Sequence, residues 1–260
     1  MTRGFTRWAA PTGLFIGLLA AWEAFIVVTN QPGYVVPHLT TIAGIMIARA
    51  DILVPATWVT LQEVVAGFVL GVAAGLALAV AIAHSKVVGR AVYPIVITSQ
   101  AIPVIAIAPV LVIWFGFGML PKVLVAALIC FFPVVINTTA GLLSVEREMI
   151  DLMHSLLASR WATFWKVSLP TAMPYVFVGL KNAAVISAIG AIVGEWVGAE
   201  RGLGPLMIAA NASFQTALVF AAITYLAAIA VVLFLLVTLA ERIVIPWYFL
   251  TRRRDMHSVH

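Results

Sequence analysis

The chain has 260 residues, of which 63% are hydrophobic and 10% charged, with a formal net charge of +5. A soluble globular domain carries about 25% charged and about 45–50% apolar residues, so a water-facing fold is excluded. Apolar runs of about 20 residues read as membrane-spanning helices, and the short alternating segments of a membrane β-barrel are missing. The class is therefore an all-α polytopic membrane protein.

Six spans are predicted, and the first covers Ala9–Thr29. Its flank is basic, as in a signal peptide, but its apolar part is long and no A-x-A cleavage site follows, so it is expected to be retained. Between the first two spans, Pro32, Pro37 and Pro55 bound a segment expected to lie at the interface as a short amphipathic helix. The second span, Trp58–Ala83, carries Gly67, Gly71, Gly75, Ala79 and Ala83 at every fourth position. That spacing lines one helix face and allows close backbone approach, either within the subunit or between subunits. The third and fourth spans are predicted over Val92–Phe115 and Val123–Leu143, the fifth over Ala172–Glu195 and the sixth over Ala217–Ile245. The chain divides into 1–55, a core over 56–250 and a basic tail over 251–260.

Orientation follows from lysine and arginine. Arg3, Arg7, Lys86, Arg90, Arg147, Arg160, Lys166, Arg242 and Arg252–Arg254 fall on one side, eleven in all. Arg49, Lys122 and Arg201 fall on the other, and Lys181 lies inside the fifth span, able to snorkel to the basic side. Both termini are expected in the cytoplasm. This pattern is one of topology, not of a nucleic-acid face.

Charge within a span costs about 2.5–3.5 kcal/mol even on the lenient insertion scale. Glu23, Glu63 and Glu195 each lie near the outer end of a span, where they can reach the interface. Gln100, Asn137 and Asn182 lie deeper, and amides there either bond across helices or meet cargo. Asn137, Thr138 and Glu195 are the candidate pathway residues.

Catalysis within the chain is not expected. The histidines at 38, 84, 154, 257 and 260 do not form H-E-x-x-H, and neither G-x-S-x-G nor G-x-x-x-x-G-K-[ST] occurs. The lone Cys130 forms no internal disulfide or multi-cysteine metal site. No metal site or cofactor is expected in this chain; ATP and magnesium, if used, belong to another subunit.

The loop over 144–171 is the largest on the basic side. Ile150, Met153, Leu157, Trp161 and Phe164 recur at three- and four-residue spacing and predict one apolar helical stripe. Acidic residues come early and basic ones late, which suits the helix dipole. Pro170 is expected to end this element and Pro174 to open the next span. Such a helix can lie on lipid, pack on its own bundle or insert into a partner's groove.

"LLASRWATFWKVSLPTAMP" (156–174) resembles the second half of the cytoplasmic signature loop of ATP-binding-cassette (ABC) importer permeases, through Ala158, Ser159, Arg160, Trp161, Phe164, Val167, Leu169, Pro170 and Pro174. The first half departs from that pattern. Asp151-Leu152-Met153 stands where E-A-A is usual, and Leu157 stands where a glycine favours positive φ. "PVIAIAPVLVIWFGFGMLPK" (103–122) and "GEWVGAERGLGPLMIAA" (194–210) are similar to segments of the nitrate/sulfonate/taurine group. "FFPVVINTTAGL" (131–142) and "GLKNAAVISAIGAIVGEW" (179–196) look most like its thiamine-pyrimidine-precursor and riboflavin branch.

The resemblance implies a type I importer permease fold in a bacterial inner membrane, a second permease subunit forming a homodimer, a cytoplasmic ABC ATPase and an external substrate-binding protein. It implies an ATPase-coupling loop containing Asp151, Met153, Leu157, Ala158, Ser159, Arg160, Trp161, Phe164 and Pro170, with Trp161 and Phe164 as apolar anchors. Arg201, Gly202 and Gly204 become candidate contacts for the binding protein, in a stretch otherwise read as a turn between spans. The rival classes are a stand-alone secondary transporter, which needs no aromatic loop helix, and a membrane scaffold.

Overall fold

The computed structural model describes residues 2–248, and every regular element among them is helical. The expected basic tail, 251–260, lies outside the described residues. Helix α1 is Thr2–Thr29, α2 Leu39–Ala48 and α3 Ala50–His84. They are followed by α4, Lys86–Ser99, α5, Val104–Phe115, and α6, Met119–Leu143. Helices α7, Arg147–Ser155, and α8, Arg160–Thr163, form the loop region. A π turn over Phe164–Ser168 leads into α9, Leu169–Gly198, and α10, Leu203–Ala212, and α11, Thr216–Val244, complete the fold.

The core is a sandwich of α3, α6 and α9, packed through small residues. A Cβ at Gly71 would lie 2.5 Å from the Ala127 carbonyl oxygen, and one at Gly75 would lie 2.9 Å from the Val134 side chain. The order of these neighbours shows that α3 and α6 run parallel. On the other side of α6, Gly194 meets Lys122, Gly190 meets Ala126, Gly179 meets Pro133 and Gly141 meets Ala172, so α9 runs antiparallel to it. Without a hydrophobic effect between helices in lipid, such backbone proximity supplies the dispersion that holds spans together. The glycine stripe of the second span is thus spent inside this chain.

Two parallel helices must be joined by a return crossing, and here that crossing is bent. The predicted third span is not one rod: α4 and α5 meet at 100°. Neither helix, at 14 and 12 residues, crosses about 30 Å of hydrocarbon alone. Pro103 removes a backbone donor and drives Ile102 out of the helical region, which stops α4 and starts α5 afresh. Val96 packs with Ile82 and Val135 near one end of the bundle, while Val112 meets Gly198 near the other. The elbow at 100–103 therefore lies between the two ends.

Counting α4–α5 as one crossing gives six among the described residues, the other five without such a break. Two predicted boundaries move. Pro55 does not bound the second span but lies inside α3, in its second turn. Pro170 does not end the loop element, because it sits in the first turn of α9, and Pro174 is also inside that helix. The π turn absorbs the change: Leu169 N–H donates five residues back, to the Phe164 carbonyl, just before the proline that lacks a donor.

Helix α1 is held mainly near the end that leads to α2. Trp22 Nε1 donates to the Pro37 carbonyl at 3.3 Å, and its ring meets Phe220 edge-on. Glu23 accepts from Leu39 N–H at 3.2 Å and pairs with His38 Nδ1 at 2.7 Å, so it is half-exposed but engaged. Ile26 is buried, whereas Leu14, Phe15, Ile16 and Leu18 face outward.

Candidate functional site

Two clusters of chemistry-bearing residues lie at opposite ends of the bundle. At the far end, away from the loop, Lys122 Nζ donates to Glu63 Oε1 at 2.9 Å, with both residues buried. Next to this pair, Thr60 Oγ1 donates to Glu195 Oε1 at 2.6 Å and accepts from Leu203 N–H at 2.9 Å. Glu195 Oε2 accepts from Gly204 N–H. Glu63, Glu195 and Lys122, which their positions in the sequence place at an interface, are instead buried and paired inside the protein, although Glu63 Oε2 has no hydrogen-bond partner. An unpaired charge there would carry a desolvation cost that pairing offsets.

The same geometry explains the G-L-G segment. Gly202 has φ +127, and a Cβ there would strike the Glu195 carboxylate; a Cβ at Gly204 would lie 2.7 Å from Glu195 Cβ. Gly202 and Gly204 are buried as a cradle for Glu195, and only Arg201 is exposed. After this turn the chain forms α10 rather than a plain hairpin. Pro205 falls in its first turn, where no donor is needed. Between α3, the α5–α6 turn and the α9–α10 turn lies a cleft of about 380 Å³, lined by Gln62, Glu63, Phe117, Lys122, Glu200 and Arg201.

The candidate pathway residues do not converge. Asn137 lies beside Gly179, whereas Lys122 lies beside Gly194, close to Glu195. Fifteen helical residues separate those levels, about 22 Å. Asn137 Nδ2 donates to the Pro133 carbonyl of its own helix at 2.7 Å, and Thr138 is buried. Gln100 and Asn182 are exposed on the chain and make no bridge between helices. Lys181 Nζ donates to both oxygens of Glu241, at 2.9 and 3.1 Å, in the last turn of α11, tying α9 to α11.

At the loop end, α7 has no buried residue. Its C-terminus is closed by two bonds, Leu157 N–H to the His154 carbonyl at 2.9 Å and Ala158 N–H to the Met153 carbonyl at 3.0 Å. This is the pattern of a Schellman turn, in which the residue after the cap is left-handed. That residue is Leu157, at φ +52. The turn keeps its form without glycine, and the helix does not run on. Ser159 then caps α8, its Oγ accepting from Ala162 N–H at 3.1 Å.

Because the chain reverses at Leu157, the single predicted stripe is divided. Ile150 and Met153 are half-buried, whereas Leu157 is 94% exposed. The outward apolar face of α7 is Met149, Leu152 and Leu156, joined by Trp161 at 61% exposure. Asp151, Ser159 and Arg160 are exposed nearby, and Ala158 is half-buried. Phe164 differs from Trp161: it is 8% exposed and packs with Leu142 and Ala172, against Val80, Ala83 and Leu169. His84, absent from any motif, stands edge-on to both rings. It is 77 positions from Trp161, so no local spacing announced it.

Six apolar crossings around a small-residue core, with an amphipathic loop thrust out at one end, define a polytopic permease subunit. Residues 67–247 match the family model described as "Binding-protein-dependent transport system inner membrane component". A probable ABC transporter permease protein of Haemophilus influenzae is 39% identical, over 85% of this chain and 91% of its own length. The riboflavin transport system permease protein RibX of Chloroflexus aurantiacus is 37% identical, over 88% and 87%. The formylaminopyrimidine transport permease protein ThiX of Halalkalibacterium halodurans is 35% identical, over 91% and 95%. A chain from an inward-facing structure of the MetNI methionine ABC transporter shares the fold, with a TM-score of 0.61 at 20% identity, over 76% of this chain and 97% of that one.

The chain belongs to the binding-protein-dependent transport system inner membrane component family. It is a multi-pass permease subunit of an ABC importer, not a stand-alone transporter.

Proposed function

We propose that two copies of this chain form the path for a small nitrogen heteroaromatic solute delivered by an external binding protein. An ABC ATPase, carrying ATP and magnesium, docks at the 144–171 loop and drives the cycle. The cargo class rests on relatives named for riboflavin and formylaminopyrimidine at 37% and 35% identity, against 30% and 31% for those named for aliphatic sulfonates and taurine. The loop end faces the cytoplasm, with both termini. Lys122 is consumed by an internal ion pair, which leaves Arg49 and Arg201 against eleven basic residues on the loop side. Arg201, exposed beside the far-end cleft, serves the binding protein, while Gly202 and Gly204 act indirectly by seating Glu195.

The observation that carries the reading is the outward apolar face of α7 and α8, on elements that bury little against their own bundle. Helix faces of this kind insert into partner grooves through anchors a turn apart, and a large aromatic dominates such an interface. Trp161 is the anchor. Phe164 supports it from inside, and Asp151 and Arg160 set register at the rim. Purifying the tagged chain gently from its own membranes tests this. An ATPase should arrive with the wild type and be lost with Leu152→Ala and Trp161→Ala together. Retention by that double variant would discard the anchors, and arrival of the wild type alone would overturn the docking.

A further inference from the structure

We propose that His84 is a positioning residue of the transport cycle, passing displacement of the loop to α3 and so to the far-end cleft. The inference rests on ATPase docking at the loop and adds the contact by which docking is felt inside the bundle. His84 is the last residue of α3. Its ring stands edge-on to Phe164, centroids 4.8 Å apart at 62°, and to Trp161, 6.2 Å apart at 60°. Trp161 and Phe164 are themselves stacked 5.7 Å apart at 17°. Edge-to-face pairs are attractive and directional, so the three rings resist separation in a defined geometry. His84 Nδ1 donates to the Val80 carbonyl at 3.1 Å, which fixes the ring against its own helix.

The alternative route, along the chain into α9, is compliant. The π turn shifts the hydrogen-bond ladder at Phe164–Ser168, and Pro170 and Pro174 each remove a donor soon after. Force on the exposed Trp161 therefore meets α3 through His84, and through the buried Phe164 held by Val80 and Ala83. From there displacement reaches α6, because α3 lies against it at backbone contact through Gly71 and Gly75. At the far end of α3, Gln62 and Glu63 line the cleft.

The test uses the complex with its ATPase, reconstituted in lipid, with an environment-sensitive maleimide dye on Gln62→Cys. Gln62 is exposed, and the native Cys130 is fully buried and stays unlabelled. A non-hydrolysable magnesium nucleotide should shift the dye's emission when His84 is present. With His84→Ala the shift should be lost, while the ATPase still co-purifies. With His84→Phe, which keeps a ring against Trp161 and Phe164 but gives up the bond to Val80, it should return in part. A shift that survives His84→Ala, one that fails to return with His84→Phe, or a parent that ignores nucleotide would each overturn the inference. Failure of the ATPase to co-purify with the parent is seen before any dye is read, and it would overturn the docking instead.

Discussion

Leu157 shows what one side chain costs in an unfavourable backbone state. An L-residue in the left-handed region is penalised by about 1–2 kcal/mol, which glycine avoids. Leu157→Gly should therefore tighten the turn that closes α7. A gain of about 1 kcal/mol corresponds to roughly fivefold slower hydrogen exchange at the Leu157 and Ala158 amides, less what glycine loses in chain entropy. Exchange that speeds up would mean the exposed leucine contributes contacts that the isolated chain does not show. Lys122 has the opposite character, because its charge is already matched. Lys122→Met leaves Glu63 buried and alone, a loss of about 3–5 kcal/mol. Adding Glu63→Met should restore most of it, and thermal unfolding in detergent gives the cycle. A loss in the double variant equal to the sum of the two single losses would show that the pair is not coupled. The pairing was not legible in the sequence. Glu63 and Lys122 are 59 positions apart, each near the end of its own span, and one-dimensional position cannot distinguish an end that reaches solvent from one that reaches a partner.

Among elements, the four-residue glycine period was readable because it uses only helix geometry. Its partner helix was not, since α6 offers Ala126, Ala127, Cys130 and Val134, an ordinary apolar run. Gly71→Leu should wedge α3 off α6. The obstacle to its Cβ is the Ala127 backbone, which yields little, so a loss of about 1–3 kcal/mol is expected in thermal unfolding. Gly44, in α2, has open space around it, so Gly44→Ala should be neutral or stabilising by up to about 1 kcal/mol. Similar melting of the two variants would refute the close-packing account. The bend between α4 and α5 was hidden for a different reason. Hydropathy sums along the chain are blind to axis direction, and proline is a poor guide here, since Pro55, Pro109, Pro133 and Pro174 all lie within helices.

Across the whole molecule, α3 and α6 run parallel with α9 antiparallel between the two ends, and the loop and the cleft fall at opposite ends. The orientation assigned to those ends has a direct check. A membrane-impermeant maleimide added to intact cells, after removal of any outer barrier, should label Arg201→Cys and spare His154→Cys until the membrane is permeabilised. Both positions are exposed on the chain. Labelling in the reverse order would turn the subunit over. The number of crossings and the loop were legible because both are properties of local composition. The site was legible in outline only: Trp161 stood out by type, but the exchange of the outward face from Ile150 and Met153 to Met149, Leu152 and Leu156 depended on a reversal at a single leucine.

The elbow between α4 and α5 has a consequence for solvation. A helix that stops partway through hydrocarbon leaves its last carbonyls and the next helix's first amides without intrahelical partners. Lipid tails cannot supply them, and irregular backbone persists at that depth only against protein or water. Residues 100–103 are exposed on this chain, and Gln100 adds a polar amide to the same surface. Here the Thr98 and Ser99 carbonyls are met within the turn by Ala101 and Ile102 N–H. The donors left open at the start of α5 favour protein or water over acyl chains along that side of the subunit.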